Sequence, residues 1–213
     1  MNCGLGNLDS IKRYVLQTAA QADTQFDDVL ATIGKGAALA LQSFCNRDFA
    51  RTEDAVDEFS AERTFWATRR YPIESLASLE QKDTYAGAWQ PLVLDSAELN
   101  LNAKSGIVEF GAKLGPAVSR IRLTYTGGYF FETLEPTDEG YPSTVPEGAA
   151  VLPDDLQLAW LVQVNAWFVK RDKLNLINAA TTSPEAATAI TQMTNRQLEP
   201  EVKNILPGFI RYV

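Results

Sequence analysis

The chain has 213 residues, 46% hydrophobic and 22% charged, with a formal charge of −8 and a pI near 4.7. This composition suits a folded globular protein, as one large domain or a core domain carrying an insertion, and excludes a disordered chain. Excess carboxylate repels phosphate and so disfavours tight, nonspecific DNA binding, while the absence of any histidine removes the commonest general base and zinc ligand.

No run approaches the roughly 18 apolar residues that cross a bilayer. The opening MNCGLGNLDSIKRY lacks the apolar stretch of a secretion signal, and Asn2 stands where myristoylation needs glycine, so synthesis in a cytoplasm with no membrane partner is expected. Cys3, near an end expected to be mobile, and Cys45, at a helix end, form neither a disulfide framework nor a metal-ligand pair. The acidic residues are scattered along the chain. No catalytic, metal or cofactor-binding residue is therefore assigned, and no cofactor is expected.

Leu8, Ile11, Val15 and Leu16 share one face, which predicts a short amphipathic helix begun at Asp9 or Ser10. A second helix, capped by Asp23 or Thr24, is expected to run to about Cys45. Its buried stripe is Phe26, Val29, Leu30, Ile33, Ala37, Ala40, Leu41 and Phe44. Gly34, Gly36 and four alanines make one side slim, which costs helix propensity but lets another helix come close. Asn46 suits a left-handed terminator, and Phe49 returns to the core.

The period then changes. Ala55 to Phe59, Arg63 to Thr68, Leu76 to Leu79, Trp89 to Leu94, Glu98 to Leu101 and Gly106 to Phe110 read as short strands, with Tyr71 and Pro72 breaking the run. In VSRIRLTYTGGY, Ile121, Leu123 and Tyr125 alternate with Arg120, Arg122 and Thr124, giving one buried and one wetted face. Arg120 and Arg122, like Arg69 and Arg70, are too few to override the acidic surface. Gly127 and Gly128 read as a turn, since nothing like GxGxxG or GKS surrounds them. These segments predict a small antiparallel sheet or barrel, and EPTDEGYPSTVPEGAAV, which has no period, a long exposed loop.

Leu152 to Arg171, LPDDLQLAWLVQVNAWFVKR, is the clearest helix of the chain. Pro153 is placed in its first turn, Asp154 and Asp155 at the positive end of its dipole, and Lys170 and Arg171 at the other end. Leu156, Trp160, Val164, Trp167 and Phe168 recur at helical spacing as a core face. Leu158, Leu161, Val162 and Val169 make a second apolar face, so little of the helix is expected to meet water, whether its neighbours come from its own chain or from another copy. Asn178 to Gln192 is small and polar. Pro200 is expected to open a short helix through Ile205, Pro207 to stop it, and the apolar tail GFIRYV to dock on its own domain or on a neighbour.

Five segments, in this order and spacing, resemble the head-tail connector, or head completion adaptor, proteins of long-tailed bacteriophages. They are LQSFCNRDF ending at Phe49, YPIES at Tyr71 to Ser75, LTYTGGY at Leu123 to Tyr129, LPDDLQLAW from Leu152 and LEPEVKNILPGF from Leu198. The resemblance implies an α+β fold, with a helical bundle of two N-terminal helices and one long C-terminal helix over 1–50 and 152–213. Into it are set a β module at 51–131 and an exposed loop at 132–151, and an extended C-terminal arm follows. It implies a dodecameric ring of the chain beneath the portal of a virion, in the head-tail neck, after assembly in the host cytoplasm. Its partners would be the portal protein, the next neck or tail-terminator protein, and double-stranded DNA passing through without specific binding. No family motif here is catalytic, so no enzyme activity is implied. The arm, with Glu201, Val202, Ile205, Leu206, Phe209, Ile210 and Tyr212, would contact the portal or an adjacent subunit. Thr137 to Val151 and Asn178 to Arg196 are longer than in the shorter members.

A conduit must not grip duplex, since each neutralised phosphate adds affinity through released counterions, so carboxylates are expected along the channel. Two other functions fit the residues: a non-viral protein-interaction module using the apolar tail, and a small-molecule enzyme working with carboxylates and tyrosines, against which stand the missing histidines and the missing metal or phosphate motif. Deleting Phe209 to Val213 is expected to leave a folded chain that assembles poorly, which a mass measurement by light scattering checks.

Overall fold

A computed structural model describes residues 3–16, 23–93, 98–170 and 198–211. The expectations for Leu94, Asn178 to Arg196, Arg171 and Tyr212 lie outside the described residues. The fold is mixed α+β with antiparallel sheets. The chain forms two compact units: Met1–Cys45 with Phe131–Thr144 and Leu152–Ile210, and Asn46–Phe130 with Val145–Val151 and Arg211–Val213.

The first unit holds α1 (Leu8–Val15), α2 (Asp27–Cys45), α3 (Asp154–Val169) and α4 (Pro200–Ile205), followed by a 3-10 turn at Leu206–Phe209. Three helix ends differ from the sequence expectation. The cap of α1 is Asn7, whose side-chain oxygen accepts the Ser10 N–H at 2.9 Å, so the helix starts before Asp9. A turn precedes α2, in which the Asp23 carboxylate takes the Gln25 N–H and the Thr24 carbonyl takes the Asp27 N–H. Pro153 lies outside the first turn of α3 as an extended cap residue, its carbonyl accepting from Leu156 and Gln157. Pro207 sits inside the 3-10 turn, at an early position where its missing N–H costs nothing.

Trp160 is the centre of this unit. It is fully buried, and its indole N–H donates to the Gly34 carbonyl at 2.9 Å. A Cβ on Gly34 would fall 2.6 Å from the Cys3 carbonyl oxygen and 2.8 Å from Ile11 Cδ1, and one on Gly6 would fall 2.9 Å from Trp160 Cζ3. Glycine at both places therefore lets the segment ahead of α1 lie between α2 and α3. Cys3, expected near a mobile end, is buried in that segment, where its N–H meets the Gly6 carbonyl. Leu156, Val164 and Phe168 are buried beside Trp160 and Trp167 is half-buried; the Phe168 ring meets Phe26 edge-on at 5.5 Å. Lys12 links α1 to the start of α2 through the Asp23 carbonyl and the Asp27 carboxylate.

The second unit carries β1 (Thr52–Ser60), β2 (Phe65–Ala67), β3 (Ile73–Lys82), β4 (Gln90–Pro91), β5 (Leu99–Asn102), β6 (Ile107–Phe110), β7 (Arg120–Gly127), β8 (Tyr129–Phe130) and β9 (Ala150–Val151). One antiparallel sheet has the order β1-β7-β3-β4, a second β2-β6-β5, and β8 pairs with β9 in parallel. Strand β7 is central and alternates as its sequence requires: Ile121, Leu123 and Tyr125 are buried while Arg120, Arg122 and Thr124 are not. Both sheets feed one core, in which Ala55, Ile73 and Leu123 meet Val108 and Phe110, and Phe59 stacks on Trp66 at 4.9 Å. Asn46 follows α2 with φ 52°, and Gly128 has φ 102° with a Cβ position only 2.6 Å from the Ala50 carbonyl oxygen, so neither the conformation nor the space admits a side chain there.

Replacing Gly34 by alanine adds about 1 kcal/mol of helix propensity. The overlap with the Cys3 backbone outweighs it, so G34A is expected to lose about 1 to 3 kcal/mol, and W160A about 3 to 5 kcal/mol. Urea unfolding curves measure both.

Candidate interaction surfaces

Among the described residues no group of three or more Cys, Asp or Glu side chains could hold a metal ion. Two half-buried carboxylates of the first unit hold backbone in place. Glu135 accepts the N–H groups of Leu8 and Asp9 at 2.8 and 3.0 Å, an anion at the positive end of α1. Glu132 takes the Leu134 and Ser143 N–H groups and the Ser143 hydroxyl. Burial pushes its pKa up, but these bonds and one from Thr133 outweigh burial and leave it lowered. Burial, with the charge of Glu135, pushes the Cys3 thiol up to about 11, so it carries no thiolate at neutral pH.

In the second unit Asp57 is 7% exposed and accepts the Tyr125 hydroxyl at 2.8 Å and the Arg69 N–H at 2.7 Å. Burial, then the Asp57 charge, drives the Tyr125 pKa far above its ordinary value. Arg51 grips Glu74 at two points, 2.8 and 3.1 Å, and reaches Glu53. The buried Arg47 guanidinium lies 3.3 Å over the Tyr71 ring, with Phe49 and Tyr129 on other sides, and donates to the Tyr71 carbonyl. On the outer face of β7, Arg122 stands opposite Glu58 and Glu80 on its two neighbouring strands and under Trp89, while Arg120 bonds the Tyr85 hydroxyl. These pairings make the face a self-neutralised one. None of these groups is placed as a nucleophile or general base.

What the first unit presents instead is apolar. On one face of α3 Leu156, Trp160, Val164 and Phe168 are buried, while the described residues cover the second face only in part: Leu158 is 45% and Val169 67% exposed, with Leu161 and Val162 half-buried between them. Residues 158, 161, 162, 165 and 169 fall within an arc of about 100°, interrupted only by Asn165. α1, α2 and α4 pack on the opposite side, so among the described residues this stripe is left partly open to water. Phe44, expected in the α2 stripe, is also exposed.

The arm residues separate by burial. Val202 and Leu206 are wholly buried within the first unit, Ile205, Phe209 and Ile210 are half-buried, and Glu201 is exposed. The Glu199 N–H donates to the buried Gln163 side chain of α3 at 2.9 Å, and Lys170 pairs with the Glu199 carboxylate at 2.5 Å. One arm-end residue was missed from sequence: Arg211, whose guanidinium donates twice to the Ala67 carbonyl. Its only signal is that it is a lone charge in an apolar tail.

No protein-family model matches the chain, and no curated protein matches it. Solved structures do share its fold. A chain from the neck of an empty gene transfer agent particle, computed with C6 symmetry, aligns with 96% of this chain and 88% of its own at 12% identity and a TM-score of 0.52. A chain from the virion of a native gene transfer agent particle aligns with 91% of each at 13% identity and a TM-score of 0.54. Coverage this complete extends the likeness to both units.

The Arg51 hydrogen bonds, ahead of burial, hold the Glu74 pKa below the ordinary carboxylate value. A depressed native pKa stabilises the fold above the unfolded value of about 4.3 and ceases to do so as pH falls through the native value. Urea midpoints followed from pH 7 down to pH 3 are expected to fall less steeply for E74Q than for the parent chain below about pH 4.3.

Proposed function

We propose that the chain is a structural head-tail connector, or adaptor, of a tailed phage-like particle. It forms a ring under the portal, extends the DNA channel, closes the filled head and offers the tail its attachment site. The observation that carries this reading is the apolar stripe of α3, which the described residues leave exposed at Leu158 and Val169. A stripe of this kind on a folded chain marks a contact surface, and a second copy of the chain supplies a cover for it at every step around a ring. The fold shared with neck and virion chains of gene transfer agent particles supports the same reading.

On this reading the helices of the first unit act as a bundle, the second unit is its β insertion, and the ring is dodecameric. The arm from Glu201 to Ile210, with Tyr212, meets the portal or an adjacent subunit, and the next neck or tail-terminator protein binds the other face. Net negative charge keeps the passing duplex from being gripped. The chain performs no catalysis, binds no cofactor, and resides in the virion neck.

Adding charge to the stripe tests the carrying observation. L158E combined with V169E alters two exposed side chains, so the urea midpoint is expected to stay close to that of the parent while assembly is lost. Light scattering of parent and variant over a concentration series reads the outcome. A variant that assembles like the parent removes α3 from the subunit contact.

A further inference from the structure

The outer face of the sheet built on β7 is balanced to within one charge, Lys82, Arg120 and Arg122 standing against Glu58 and Glu80, but the balance is uneven from row to row. Taken across β1, β7 and β3, one row reads Val56, Thr124 and Ser78, the next Glu58, Arg122 and Glu80, and the last Ser60, Arg120 and Lys82. Arg122 meets both carboxylates of the middle row, at 3.4 and 3.6 Å. Among the described residues no carboxylate pairs with Arg120 or Lys82. Asp83, next along the chain, turns to the amide of Gln81, which is in register with buried Ile121 on the other face. Two like charges directly opposite each other destabilise an antiparallel pair. In a chain with 27 acidic and 19 basic residues an acidic side chain at either position would have relieved them, so sheet stability does not account for the pair.

Two rings from the β3–β4 hairpin hold these cations without neutralising them. Trp89 has its ring centre 4.0 Å from the Arg122 guanidinium and 4.5 Å from Lys82 Nζ. The Tyr85 ring is 5.1 Å from the Arg120 guanidinium, whose Nη2 donates to the Tyr85 hydroxyl at 3.1 Å in an exposed bond. A ring face attracts a cation but carries no net charge, so the positive potential of the row still reaches solvent. Lys82, Arg120 and Trp89 are half-buried and Tyr85 is exposed, which places the row at the surface with its side chains already ordered.

We propose that this row is a contact for a backbone phosphate of duplex DNA. The duplex comes from the conduit reading above, on which this contact rests. Cβ atoms directly across a ladder lie about 5 Å apart, so the two charges converge on one phosphate group, and the guanidinium of Arg120 has further N–H groups to offer its oxygens. One such contact per chain touches DNA without gripping it, because a single neutralised phosphate releases few counterions. The acidic remainder of the chain limits binding to that row.

The test follows the tryptophan indole N–H signals of the full chain, labelled with nitrogen-15, by NMR at low salt as a short DNA duplex is added. The Trp89 signal is expected to shift saturably while that of buried Trp160 stays in place. Raising salt from about 50 to about 200 mM is expected to weaken the binding about 3.5-fold, as for one phosphate. K82Q combined with R120Q is expected to abolish the shift with the Trp160 signal unchanged, and K82R, which keeps the charge, to retain it. K35Q removes a charge from exposed Lys35 of the first unit and is expected to leave the shift as it is. A Trp89 signal unmoved by duplex, or moved as far in the double variant as in the parent, overturns the contact. An equal loss from K35Q also overturns it, by making net charge the cause. An equal shift with inorganic phosphate, at the same concentration of phosphate groups, overturns the assignment to DNA. A chain that shows the contact but never assembles sinks the conduit reading and leaves the contact standing.

Discussion

The hydrogen bond from the Trp160 indole to the Gly34 carbonyl fixes how closely α2 and α3 approach, and much of the first unit follows from it. An indole N–H buried without an acceptor would cost about 1 to 3 kcal/mol, so the ring must reach a carbonyl that side chains elsewhere on α2 would screen. Glycine at position 34 uncovers one. The bare backbone there also receives the Cys3 carbonyl and the Ile11 side chain, so a single missing Cβ makes room for both α1 and the segment ahead of it. The glycines and alanines of α2, which lower its helix propensity, are what this packing requires.

The second unit is organised by β7 and by the polar cluster on its inner face. Tyr125 alternates inward with Ile121 and Leu123, and its hydroxyl has to find partners in the core. Asp57 from β1 accepts from it, and the Arg70 N–H donates to it at 3.0 Å. The cluster thus joins β1, β7 and the segment after β2 by bonds a purely apolar core could not specify.

The strands were legible because alternation in short β-branched and aromatic runs survives into the fold; Ile121 to Tyr125 is the clearest case. The parallel pair of Tyr129–Phe130 with Ala150–Val151 was not, since two-residue strands carry no period. Asn7 was passed over as a cap because Asp9 and Ser10 also carry cap chemistry, and only the observed bond to the Ser10 N–H decides among them. Glu135 clamps residues 126 and 127 positions away, a distance at which no local pattern speaks. The two apolar faces of α3 are both visible in the sequence, but periodicity measures the need for cover and not its source, and only the structure shows that the described residues leave Leu158 and Val169 exposed. Arg211 had no readable partner for the same reason as Glu135.

The exposure of Leu158 and Val169 also sets how any contact made on that stripe would respond to its surroundings. Leucine and valine side chains gain by leaving water mainly through solvent entropy near room temperature, so a joint made from them loosens on chilling and tightens in sulfate. An ion-paired joint would instead weaken as salt screens it. On a chain this acidic, the same salt would quiet repulsion between copies and strengthen the greasy seam together, making high ionic strength an ally of association.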